Sequence, residues 1–235
     1  APGEYLFSMP AYLTAHTHLN LPALSHIRSY DDLLQAVSHT PYRKLLEGFR
    51  PAPGMMPDYT GIENVLFTHL YGEVFHVIDT YTHGETQRQL NQIFDSYVDL
   101  QNYLRIVRLR FIHHEPVAEV QRSLLPFGQL HTRHLKALLA AGTEQELAAI
   151  MRRIPVGKHF IRAQGSYVYP EQVMNRTKYN ICRRDIRFST HPSVVLISYI
   201  ILTEIEVGDI ITIVEGIRYR LPPEDIKSML TVVDF

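Results

Sequence analysis

Residues 200–214 read Ile200-Ile-Leu-Thr-Glu-Ile-Glu-Val-Gly-Asp-Ile-Ile-Thr-Ile-Val214. Their β-branched side chains favour a strand by propensity. Their spacing favours a helix. Val207, Ile210, Ile211, Val214 and Ile217 recur at helical steps and lie on one stripe. The same period appears over residues 58–82, in Leu66, Leu70, Val74, Val77 and Tyr81. Gly84 breaks it, and it resumes over 85–110 in Leu90, Ile93, Tyr97, Leu100, Leu104 and Val107.

Shorter helices carry their own start signals. Ser29 caps one, with Asp32 three residues on, and Thr143 caps another, with Glu146 three on. Pro41, Pro116, Pro170 and Pro222 open others, since a proline lacks only an N–H that the first turn leaves unpaired. A first helix is expected over residues 11–18, and the proline-rich run 50–57 reads as a linker. The fold class is all-α: pairs of long antiparallel helices alternating with small helical clusters. Two helical units are expected, residues 1–125 and 126–235.

Composition narrows the function. The 235 residues are 46% hydrophobic and hold 23 Lys plus Arg against 24 Asp plus Glu. That balance lacks the basic excess that phosphate contacts require, so no nucleic-acid partner is expected. The single cysteine, Cys182, forms no intrachain disulfide and reads as packing. The start of the chain has neither the basic residues nor the apolar core of a secretory leader. The most apolar run, 194–202, is followed by Glu204, Glu206 and Asp209 and falls short of the about 20 apolar residues a membrane span needs. Direct insertion in a membrane is not expected.

Two internal matches point to duplication. At an offset of 114, Leu21, Ala23, Leu24, Leu33, Pro41 and Lys44 meet Leu135, Ala137, Leu138, Leu147, Pro155 and Lys158, and the two capping pairs fall in register. At an offset of 107, the helix containing Asn102, Leu104 and Ile106 lies over that containing Asp209, Ile211 and Ile213. Each of these ends in a basic turn, Arg108 and Arg110 or Arg218 and Arg220, and then a proline and a short helix. A polar residue on an apolar helix face usually bonds a neighbour. Asn102 and Asp209 therefore read as structural registers rather than catalytic groups.

The phrase from Tyr199 to Ile226, with Glu204, Glu206, Asp209, Gly216 and Arg218 in order, resembles the C-terminal signature of the C subunit of prokaryotic V/A-type ATPases, the relative of the d subunit of eukaryotic V-type ATPases. Asp99, Asn102, Leu104, Arg105 and Arg108 resemble the family's internal asparagine–arginine helix. Leu125-Pro-Phe-Gly128 resembles its proline–glycine turn, and Ser29-Tyr-Asp-Asp-Leu-Leu34 with Thr40-Pro-Tyr42 its N-terminal unit. The resemblance covers most of residues 20–232, and the order of its motifs is its specific part. Asp209 stands where the family usually has Asn, and residues 11–18 carry histidines where it tends to carry arginine. Members resemble three stacked units forming a funnel; two are visible here, which implies a member one repeat short.

The resemblance implies a non-catalytic subunit, without cofactor, of a rotary motor for ion transport (proton transport included). It would lie at the cytoplasmic face of the membrane as a peripheral subunit. Its partners would be the central-stalk subunits and the membrane ring of ion-carrying subunits. Arg105, Arg108, Arg110, Arg218 and Arg220 become candidate partner contacts. Taken singly, each also reads as a solvated helix-end cation favoured by the dipole.

One competing chemistry is visible. His69, Glu73, His76, Asp79 and His83 fall at steps of three and four, and imidazole and carboxylate on one face can share a metal. The alternative reading is thus a free-standing helical scaffold or a metal-binding helical protein using His69, Glu73 and His76. Beside that row runs the apolar one, so an ordinary amphipathic helix accounts for it too. A di-iron bundle needs two Glu-x-x-His elements, and Glu73-Val-Phe-His76 is the only one.

Overall fold

The computed structural model describes Thr17, residues 19–157 and residues 170–232. The helix expected over 11–18 lies outside the described residues apart from Thr17. Among the described residues every regular element is a helix.

Packing divides the chain between Leu70 and Tyr71. The first unit holds α1 (Leu21–Ser25), α2 (Tyr30–Ala36), α3 (Tyr42–Glu47) and the start of α4 (Tyr59–Tyr81). The Asn20 side chain accepts the Ala23 N–H to start α1. Ser29 starts α2 with a reciprocal capping box: its hydroxyl accepts the Asp32 N–H at 3.1 Å, and the Asp32 carboxylate accepts the Ser29 N–H at 2.9 Å. Leu34, Val37 and Leu46 form the buried centre, with Leu24, Leu33, Ile62 and Leu66 packed around them. The linker over 50–57 is irregular backbone, turning at Gly54 with φ 82°.

The second unit is built on α5 (Gly84–Ile106), which continues into a π-helical segment, Val107–Ile112. Then follow α6 (Val117–Ser123), α7 (Gly128–Ala140), α8 (Glu144–Met151), α9 (Pro170–Phe188), α10 (Pro192–Arg218) and α11 (Pro223–Met229). Most of α5 beyond Ser96 is buried, because α6, α7, α9 and α10 all pack on it. Ile93, Leu100, Ile106, Leu130 and Leu147 fill the core. The boundary expected between residues 125 and 126 falls inside this unit, where Asp99 accepts the Leu130 N–H across it.

The β-branched stretch is helical within α10, as its spacing predicts. Val194, Ser198, Ile201 and Ile205 face inward. The stripe of Val207, Ile210, Ile211, Val214 and Ile217 faces outward, each residue about half exposed. Period identifies which residues share a face; it does not say what that face meets.

The repeats recur in backbone geometry. Thr143 accepts the Glu146 N–H at 3.2 Å and Glu146 accepts the Gly142 N–H at 2.7 Å, as Ser29 accepts the Asp32 N–H and Asp32 the Arg28 N–H, though only α2 completes the reciprocal box. After the long helices, His114 and Arg220 both adopt φ 57°, in the left-handed region. Pro116 (φ −57°, ψ 145°) and Pro222 (φ −56°, ψ 145°) then open α6 and α11. The first copy has one residue more between Asn102 and His114 than the second has between Asp209 and Arg220. The π segment lies in that interval. The closing bond reflects it: the Glu115 N–H reaches back six residues to the Leu109 carbonyl, the Leu221 N–H only five to that of Gly216.

Gly216 sets how closely α11 approaches. A Cβ there would lie 2.6 Å from Ile226 Cγ1. Overpacking costs about 1–3 kcal/mol and replacing a helical glycine returns about 1. Gly216→Ala is therefore expected to destabilise by about 1 kcal/mol net. An unchanged denaturation midpoint would mean that Ile226 simply moves aside.

Candidate functional site

Both long helices use a polar side chain to hold the segment that follows the short helix. Asn102 is fully buried. Its amide nitrogen donates to the Leu125 carbonyl at 3.0 Å and its oxygen accepts the Leu125 N–H at 2.8 Å. One side chain thus satisfies both polar groups of one residue's backbone. Arg105, one turn on, donates to the Ser123 carbonyl at 2.6 Å. In the second copy Asp209 accepts the Thr231 N–H at 2.9 Å and the Val232 N–H at 2.9 Å. A carboxylate only accepts, so the carbonyls there find other donors: Arg176 for Thr231 at 3.0 Å and Gln172 for Ser228 at 2.8 Å. The exchange of Asn for Asp is matched by a change from one amide clamp to a carboxylate with two helpers from α9.

A second polar anchor seats α7. The Leu130 N–H donates to Asp99 at 2.8 Å, and the neighbouring Gly128 and Gln129 N–H groups favour the charged forms of Asp95 and Asp99. One donor that a helix N-terminus leaves open is thus taken by α5, with a second acidic side chain, Asp95, one turn away. Gly128 has φ 79°, and a Cβ there would run into the Asp99 carboxylate. Sequence reasoning does not single out Asp95 and Gly128 as anchors. Their signal is the turn Leu125-Pro-Phe-Gly128 facing carboxylates one helical turn apart.

Burial pushes the Asp99 carboxyl up to about 7; its backbone bonds pull it down and Asp95 pushes it further up. The folded chain therefore holds a proton that the unfolded chain, with an ordinary value of 3.8, releases. Its contribution to stability is fully present below about pH 4, declines as pH rises to about 7, and is flat above. Asp99→Asn keeps an acceptor for Leu130 and removes that decline. Urea midpoints at pH 5 and pH 8 should separate more for the parent than for the variant, and equal separations would refute the assignment.

The five arginines divide. Arg105 and Arg110 reach carbonyls at the ends of α6 and α7, Ser123 and Leu139, where a cation suits the helix dipole. Arg108, Arg218 and Arg220 are exposed, with the Arg218 guanidinium 5.9 Å from the Tyr219 ring centroid. Glu204 and Glu206 are exposed on α10.

The histidine row spreads along α4. Glu73, His76 and Asp79 do not converge: Asp79 accepts from Gln87 at 3.1 Å, and His69, further up the helix, meets the Tyr42 ring edge-on at 5.9 Å. His83 lies beyond the helix, preceding α5. Among the described residues no three His, Cys, Asp or Glu side chains are gathered to hold a metal ion. Cys182 is buried, its sulfur 3.0 Å from the Tyr97 hydroxyl, and burial pushes the thiol up, away from the reactive thiolate. The Lys178 ammonium lies 4.7 Å from the Tyr97 ring centroid, and burial lowers its pKa.

A family model described as ATP synthase (C/AC39) subunit matches residues 3–229. No curated protein matches the chain.

Proposed function

The chain belongs to the ATP synthase (C/AC39) subunit family, a family of V/A-type rotary ATPase subunits, and from that premise we propose that it couples the central stalk to the membrane ring without catalysing a reaction itself. The family match carries this reading, because it runs through both repeats rather than through one motif. Torque transfer demands stiffness. The long α5, enclosed by its neighbours, and the polar anchors that lock each following segment are suited to that demand. No helix among the described residues is long and apolar enough to cross a membrane. That agrees with a peripheral subunit, whose place in this reading is the cytoplasmic face.

Arg108, Arg218 and Arg220 are the proposed partner contacts, being the exposed members of the five. Arg220 holds a positive φ at which glycine would be unstrained, which supports a role for its side chain. The test is co-purification from native membranes. Stalk and ring subunits are expected with the chain, and their persistent absence would overturn the reading. Arg218→Glu with Arg220→Glu should weaken that association while leaving the denaturation midpoint within about 0.5 kcal/mol of the parent.

A further inference from the structure

The outward face of α10 carries chemistry that the anchors and arginines leave unused. The helix has 27 residues and so runs about 40 Å. It is apolar on two opposite sides. One packs on α5, α9 and α11. The other presents Leu196, Tyr199 and Ile200 and then, past the exposed Thr203, Val207, Ile210 and Val214, each of these six apolar residues between 48% and 62% exposed. A helix apolar all round is normally buried all round. Scattered exposed apolar residues are ordinary, but clusters of them gathered on one face of a helix mark an interaction surface.

Charge decides the occupant. A spacing of 100° per residue places Glu204 and Glu215 along one edge of the row and Glu206 along the other. All three are exposed, and the one basic residue of α10, Arg218, ends the helix. A second copy of α10 laid antiparallel on this face would bring acidic edges against acidic edges, a like-charge arrangement that disfavours pairing. A bilayer is likewise a poor occupant, because carboxylates border both edges of the half of the row that holds Val207, Ile210 and Val214. Gly208, beside the Glu204 edge, has nothing within 4 Å of where a Cβ would stand, so a partner can approach closely there.

We propose that the outward face of α10 docks an amphipathic helix of another protein, with an apolar stripe at three- and four-residue steps and lysine or arginine along both edges. Leucine-sized side chains would lie between Val207, Ile210 and Val214, and the basic edges would meet Glu204, Glu206 and Glu215. This goes beyond the coupling role, since it specifies the chemistry of a docking helix whichever protein supplies it.

The chain has no tryptophan, so a tryptophan in a synthetic peptide reports binding without background. One peptide helix carries a leucine stripe with lysine edges, a second the same stripe with glutamate edges, and a third the first composition scrambled. The lysine-edged peptide is expected to bind the full chain at least about tenfold more tightly than either control. Val207→Asp with Val214→Asp, both exposed positions, should abolish binding while the circular dichroism stays unchanged. Glu204→Gln, Glu206→Gln and Glu215→Gln together should bring the lysine- and glutamate-edged peptides to equal affinity. Equal binding of those two peptides to the parent would overturn the proposal, as would binding indifferent to the α10 substitutions. So would a dimer of the chain alone that Val207→Asp with Val214→Asp dissolves, which would make a second copy the occupant. No rotary complex is used, so this test and the co-purification test fail separately.

Discussion

Asn102→Ala is expected to lower the stability of the chain by about 3 kcal/mol. The substitution removes the partner of both the Leu125 N–H and the Leu125 carbonyl. Leu125 is itself fully buried, so water does not readily replace the lost amide. Each stranded buried group costs about 1–3 kcal/mol. Asn102→Asp should also destabilise, because a carboxylate would still accept the N–H while facing the carbonyl with no donor. Asp209→Ala should cost only about 1 kcal/mol, since Asp209 is half-buried and Val232 is exposed, leaving water an approach. Chemical denaturation of the three variants checks the ranking. An Asn102→Ala midpoint close to the parent's would show that the clamp is dispensable.

Gly128→Ala is expected to cost about 3 kcal/mol or more. A non-glycine residue held at positive φ costs roughly 1–2 kcal/mol. The added methyl also strikes the Asp99 carboxylate. If the carboxylate moves away, the Leu130 N–H loses its acceptor, at about 1–3 kcal/mol when buried. The two contributions separate in a double-mutant cycle with Asp99→Ala. In that background the collision with Asp99 is gone, and the backbone strain with a tight 3.3 Å approach to the Asp95 carbonyl oxygen remains, so Gly128→Ala should cost about 1–2 kcal/mol. Strict additivity of the two substitutions would mean that the methyl and the carboxylate never meet.

The sequence was most legible where a local signal is sufficient. Ser29 with Asp32 and Thr143 with Glu146 specify helix starts within four residues, and the structure builds both. The stripe in residues 200–214 outweighed its strand propensity because a helical period over so many turns is hard to produce otherwise. Order along the chain carried the family resemblance even though each motif was short. Three matters were hidden. Which face of α10 packs depends on where α5 and α9 lie, and periodicity is blind to that. Arg105 and Arg110 read as solvated cations because their partners are backbone carbonyls, Ser123 and Leu139, whose place depends on tertiary packing. Asp99 looked like one more motif letter; that it is buried against the first turn of α7 follows only from the folded chain.

The π segment accommodates the one-residue difference in length between the two halves of the chain. One residue added to an α-helix turns everything after it by about 100°. Without relief, the residues beyond the insertion would point a quarter-turn away from the neighbours they had fitted. A π turn takes the extra residue as a local bulge and leaves the phase on either side intact. His114 and Pro116 thus keep the conformations of Arg220 and Pro222 despite the difference in length. The helix acts as a vernier: length is free to change at Val107–Ile112 because rotation is absorbed there. A residue inserted or deleted at this place would therefore leave the anchors around it in phase.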